Sequence, residues 1–236
     1  MNRRTVQYLG ITSGAALVTA GTVLALSWSS RAVSTSPGGL PEPTGPGSAR
    51  PSPGPGRGSV SDFRLAGFTF TSHRGEDAGP SLFDDEVTAL VFFFTSCRGP
   101  CPRLMGTMAG IERRTAGEAP AGRLRFAAIS VDGTRDTPEV LTSYAARLGL
   151  DTDRWSLLTG DPALVARLAS ESLDYDIRTQ NDVTISGPAG DTMQNILHPT
   201  RIMLVGPDRR LIGIYAFTDA DAIERLIADA ARALDR

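Results

Sequence analysis

The chain has 236 residues, 24 basic and 26 acidic side chains, and a net charge of −2, so it lacks the basic footprint of a nucleic-acid-binding protein. Every basic residue in that count is arginine, which reads as a composition bias of the source and not as a mechanism. Its two cysteines, Cys97 and Cys101, are compatible with a disulfide, a dithiol or a metal site, and composition does not choose among these.

Arg3 and Arg4 precede an uncharged stretch, Thr5 to Ser30, rich in Leu, Val, Ala and Gly. At about 1.5 Å per residue such a stretch spans a hydrocarbon core of about 30 Å. It also fits a secretory signal with a long apolar region, but no A-x-A-like cleavage site follows it. Residues 1–31 are therefore read as an uncleaved single-pass anchor in the cell membrane. The arginines before the span place the N-terminus in the cytoplasm and the remainder outside it. Arg3-Arg4-Thr5-Val6 also resembles a twin-arginine export signal. Residues 32–60 are dominated by Pro, Gly and Ser, which bury too little apolar surface to offset their ordering entropy. This segment is read as a disordered tether, and 61–236 as one globular domain.

In chain order, Phe63-Arg64-Leu65 and Phe68-Thr69-Phe70 read as short strands, followed by a polar loop from Ser72 to Gly79 that holds His73 at the surface. Val87 to Thr95 is a continuous apolar and aromatic run, the pattern of a strand covered on both faces. Pro102 to Thr115 carries helical spacing, and Leu124 to Val131 reads as a second buried strand. Asp136-Thr137-Pro138-Glu139 is a helix start, with a capping side chain and proline in the first turn. That helix runs to Leu148 and stops at Gly149. Trp155 to Thr159 is a strand, and Asp161-Pro162 opens a helix through Leu173. Asp174 to Asn195 is polar with weak strand character. Arg201 to Val205 and Leu211 to Phe217 form a hairpin, and Asp219 to Leu234 is a last amphipathic helix. This order predicts an α/β fold, a thioredoxin-like mixed sheet flanked by helices.

The chemistry concentrates at Cys97-Arg98-Gly99-Pro100-Cys101-Pro102, directly behind the apolar strand. A thiol near a helix N-terminus ionises more easily, and thiolate is the form that binds soft metals and attacks disulfides. If both cysteines lie in the first helical turn, positions i and i+4 share a face and their sulfurs converge. The same separation permits a disulfide, so spacing licenses both metal binding and redox chemistry. Three intervening residues, in place of the two usual in dithiol oxidoreductases, lean towards a metal. His198, just ahead of a predicted strand, can supply an imidazole, and two thiolates with one imidazole suit Cu(I). Met105, Met108 and Met193 read as core filler.

Val91 to Cys97, Cys101-Pro102, Ile129-Ser130-Val131-Asp132, Asp136-Thr137-Pro138-Glu139, and His198 followed by Gly206-Pro207-Asp208 together resemble the Sco/SenC family over nearly all of 61–236. The resemblance implies a membrane-anchored, thioredoxin-fold copper protein that assists assembly of the CuA centre of cytochrome c oxidase. It implies a copper ion held by Cys97, Cys101 and His198. The partner would be the CuA-bearing subunit or another copper or thiol protein. Asp132, in the family's strand-end position, is a candidate for support of the site from behind the ligands. The Asp174 to Asn195 stretch would be a mobile, partner-facing loop. Three departures stand out: Asp132-Gly133 replaces the usual Asp-Pro, Leu197 and Pro199 flank the histidine, and His198-Pro199-Thr200 resembles the cis-Pro-Thr that faces the cysteines of thioredoxins. The last feature would either restrain His198 as a ligand or favour thiol exchange with a protein substrate. The latter keeps open an alternative, a thiol–disulfide oxidoreductase in which Cys97 attacks and Cys101 resolves. A peroxide-reducing enzyme of the same fold would need an arginine and threonine arrangement that is not evident.

Overall fold

A computed structural model of the protein describes residues 63–186 and 192–236. The expected anchor, 1–31, and tether, 32–60, lie outside the described residues, as do 187–191 and the side chain of Met193. No helix among the described residues is long and apolar enough to cross a membrane.

Among the described residues, nine strands and four α-helices follow one another as β1 (Phe70–Ser72), β2 (Asp77–Ala78), β3 (Thr88–Phe93), α1 (Cys101–Thr115), β4 (Arg125–Ser130), α2 (Pro138–Leu148), β5 (Trp155–Thr159), α3 (Pro162–Leu173), β6 (Arg178–Ser186), β7 (Thr192–Leu197), β8 (Ile202–Val205), β9 (Leu211–Tyr215) and α4 (Ala220–Leu234). Seven of the strands form one mixed sheet in the order β2-β1-β5-β4-β3-β8-β9, while β6 and β7 pair as a separate hairpin. The central strands β3, β4 and β5 are parallel. Every residue of β3 is buried, because the strand is hydrogen-bonded on both edges and covered on both faces.

Local chemistry explains most of the boundaries. Thr137 caps α2 by accepting from the Val140 N–H, and Gly149 ends it at φ 64°, where a side chain would be strained. Asp161 and Asp219 cap α3 and α4 in the same way. Helix α1 has no side-chain cap at all; Pro100 precedes it and Pro102 fills the first turn, where its missing N–H costs nothing. Leu104, Met105, Met108 and Ile111 of α1 are buried in the core, each contributing about 1.5–3 kcal/mol.

Four local expectations need revision. Ser72 to Gly79 is not a plain loop but the turn and second strand of the β1–β2 hairpin, closed around Gly75 at φ 79°. Phe63-Arg64-Leu65 contributes only an isolated bridge, Arg64 to Arg210, beside β9. The Asp174 to Asn195 stretch has the strand character its sequence suggested but is not a plain loop, since β6 pairs antiparallel with β7 across a bulge between Gln180 and Thr184. His73 is not at the surface: it is buried, its Nδ1 accepts from the Leu157 N–H at 3.4 Å, and its carbonyl accepts from the Thr142 hydroxyl. Burial first, and Arg74 second, lower its pKa and keep it neutral.

Candidate metal centre

The parallel strands deliver the cysteines. Strand β3 runs out at its C-terminal end beside the end of β4, with Phe93 opposite Ser130, and the chain then loops into α1. Crevices at the carboxyl ends of parallel strands are where open α/β sheets place their sites. Cys101 is the first residue of α1 and only 1% exposed, whereas Cys97 precedes the helix in a turn closed by its N–H on the Phe94 carbonyl at 3.2 Å. The pair therefore does not occupy one helical face, as the i, i+4 reading had it. Pro100 ends the loop and helical geometry starts only at Cys101, so loop conformation brings the sulfurs together.

The antiparallel strand delivers the histidine. Thr88, Ala89 and Leu90 of β3 pair with Val205, Leu204 and Met203 of β8, so the start of β8 lies at the end of β3. His198, just ahead of β8, is buried and meets Phe94 edge-on, with ring centroids 5.7 Å apart. Its Nε2 is 3.5 Å from Cys101 Sγ. Its Nδ1 lies 3.0 Å from the Pro199 carbonyl, which only accepts, so Nδ1 carries a hydrogen and Nε2 is the nitrogen that faces the sulfurs. The described residues contain a cis peptide only at Ala119-Pro120, so the His198-Pro199 bond is trans and the cis-Pro edge of thioredoxins is not formed here.

Electrostatics divide the two thiols. Cys97 is drawn down from 9.0 to about 4, first by a hydrogen bond from the Cys101 thiol and then by bonds from His198 and from the backbone N–H groups of Cys101 and Gly99, against the opposing effect of burial. The uncapped start of α1 and the loop before it thus each turn one backbone N–H, of Cys101 and of Gly99, to the thiolate. Cys101 moves the other way, pushed far up by its bond to Cys97 and by burial. Both cysteines are free, so the pair stands as one thiolate and one thiol sharing a proton. Among the described residues no three His, Cys, Asp or Glu side chains close into a finished metal cage. The donor set of two sulfurs and one imidazole is nevertheless contiguous and soft, which fits Cu(I).

Asp132 is buried, but its carboxylate accepts from Thr134 Oγ1 at 2.9 Å and pairs with Arg135 at 3.3 Å, organising its own turn. The carboxylate that reaches the cysteine loop is that of Asp136, which accepts from the Thr95 N–H at 3.0 Å and from the hydroxyls of Thr95 and Ser130. Asp136 had the pattern of a helix cap; Thr137 takes that role and frees it to turn inward. Tyr144 on α2 faces the same space, its pKa raised to about 12 by burial first and then by the nearby cysteines and Asp136. Met105 and Met108 pack in the core.

The SCO1/SenC family model matches residues 61–235. A SCO1 homologue of Bacillus subtilis is 25% identical over 168 residues, covering 71% of this chain and 81% of its own. The structure of BsSco, a Sco-family cytochrome c oxidase assembly protein in which a disulfide switch is described, superposes with a TM-score of 0.60 at 25% identity, covering 73% of this chain and 94% of that one. Copper-bound ScoI of Bradyrhizobium japonicum has the same fold, with a TM-score of 0.56 at 22% identity over 72% of this chain and 99% of that one. The sheet, its flanking helices and the match across the whole globular part leave one assignment: a thioredoxin-like protein that belongs to the SCO1/SenC family.

Proposed function

We propose that the protein is an extracytoplasmic copper chaperone, tethered to the membrane by residues 1–31, that assists assembly of the CuA centre of cytochrome c oxidase. Cys97, Cys101 and His198 would bind Cu(I) as cargo and yield it by ligand exchange to the thiolates of an acceptor subunit. One observation carries this reading: His198 Nε2 lies 3.5 Å from Cys101 Sγ, although 97 positions separate them in the chain. Family membership supports it, as does the copper bound in ScoI of Bradyrhizobium japonicum. Anaerobic Cu(I) titration of the reduced protein tests it. Near-stoichiometric binding is expected, lost in Cys97→Ser and strongly weakened in His198→Ala; unchanged affinity in the histidine variant removes that residue from the ligand set.

A second reading rests on the ionised Cys97 beside a protonated Cys101, the arrangement of an attacking and a resolving thiol. In it the pair reduces a disulfide of the acceptor, itself ending as the Cys97–Cys101 disulfide. Cys101→Ser would then trap a mixed disulfide between Cys97 and the acceptor domain. A Cys97–Cys101 couple too oxidising to reduce the acceptor excludes it.

A further inference from the structure

We propose that Asp136 is the positioning residue of this site, the group that holds Cys97 where Cys101 and His198 can share its sulfur; the inference rests on the reading of those three residues as copper ligands. The Asp136 side chain is fully buried and its partners are three neutral donors. Burying a carboxylate on neutral donors is seldom the most stable way to fill space. What the arrangement produces is a rigid loop.

Both oxygens grip the same residue. Oδ2 accepts the Thr95 N–H at 3.0 Å, and Oδ1 accepts the Thr95 hydroxyl. With its peptide and its side chain held by one carboxylate, Thr95 can neither rotate nor slide. Two residues on, the Cys97 N–H closes its turn on the Phe94 carbonyl, so the segment from 94 to 97 is fixed on both sides of Thr95. Oδ2 also accepts the Ser130 hydroxyl at 2.5 Å, which anchors the clamp to the end of β4. The Asp136 N–H in turn donates to the Asp132 carbonyl at 2.9 Å. Asp132 therefore acts one step further back, by shaping the turn that presents Asp136. Side chains that orient ligands in this way are worth about 10- to 100-fold in metal affinity.

Three variants in the full-length chain separate positioning from mere folding. Thr95→Val removes the hydroxyl donor at nearly constant volume, Thr95→Ser restores it, and Asp136→Asn keeps the shape but not the charge. For each, thermal unfolding establishes that the reduced protein is folded. Cu(I) affinity is then measured by competition with a chromophoric Cu(I) chelator. Separately, the dithiol–disulfide balance is measured in glutathione buffers, where two glutathione thiols reduce one Cys97–Cys101 disulfide. The expected result is a loss of about 10- to 100-fold in Cu(I) affinity in Thr95→Val and Asp136→Asn, with recovery in Thr95→Ser. The disulfide equilibrium should move by about tenfold in the same two variants, because the sulfurs are no longer held at one separation. Folded Thr95→Val and Asp136→Asn proteins with wild-type Cu(I) affinity and wild-type disulfide balance overturn the proposal. Should the unsubstituted protein bind no Cu(I), the copper reading fails and the disulfide balance alone decides: a shift in the variants upholds positioning, and none refutes it. If Asp136→Asn does not fold, the Thr95 pair decides by the same two measurements.

Discussion

Replacing Cys101 by alanine removes the thiol whose hydrogen bond is the largest influence on Cys97. With that bond, Cys97 titrates at about 4, against 9.0 for an ordinary thiol. In the variant the backbone N–H groups and His198 still favour the thiolate while burial opposes it, so the midpoint should climb by several pH units. At pH 7 a group near 4 is wholly thiolate, whereas one restored to about 9 is about 1% thiolate. Alkylation speed at neutral pH is a poor readout of this change. Nucleophilicity rises with thiol pKa along a slope of about 0.4–0.5, so a shift of about five units returns roughly the hundredfold that the smaller thiolate fraction removes. Ultraviolet thiolate absorbance followed against pH measures the fraction directly. The expected trace is a single-sulfur step near pH 4 in the reduced wild type, moved well towards 9 in Cys101→Ala. The folded-state value lies below the unfolded one, so the thiolate contribution to stability is complete above about pH 9 and is lost as the pH falls through about 4. In the variant that window contracts to its alkaline end. A midpoint that stays near 4 without the Cys101 thiol would refute the argument and assign the ionisation to the helix start instead.

Two further substitutions probe the frame around the site. A β-carbon on Gly133 would overlap the Gly160 carbonyl oxygen, so Gly133→Ala should cost about 1–3 kcal/mol in urea unfolding; wild-type stability would show that the turn after β4 has room to give. Arg154 donates to the carbonyls of Glu112 and Leu124 and to Thr115 Oγ1, and its guanidinium lies 5.2 Å from the Phe126 ring centre. Arg154→Ala should lower stability by about 2–4 kcal/mol with an unchanged denaturant slope, because it unties the end of α1 from β4.

The elements that bear the site were legible where local chemistry is decisive. Six buried residues in a row mark β3, Thr137-Pro138 and Gly149 bracket α2, and Asp161-Pro162 opens α3. Legibility failed where a residue's partner is remote. His73 sits among polar neighbours in sequence, yet Leu157 and Thr142 enclose it. Asp136 has the local signature of a cap, and Asp132 that of a strand-end support. Which carboxylate turns to the cysteine loop depends on Thr95, in the turn after β3, and Ser130, at the end of β4. Likewise i, i+4 spacing suggested a shared helical face, but Pro100 leaves Cys97 in the loop.

Donor identity is thus a property of the chain: two thiols at a strand-to-helix junction and one imidazole downstream specify soft-metal or thiol chemistry in any arrangement that unites them. Their union is a property of the sheet. His198 reaches Cys101 because β8 pairs antiparallel with β3, which brings the start of one strand to the end of the other. The unequal titration of the thiols, the trans bond after His198 and the inward turn of Asp136 arise at the same level. The turn of Asp136 and the approach of His198 to Cys101 depend on contacts between groups far apart in sequence, and local periodicity carries no information about such pairs.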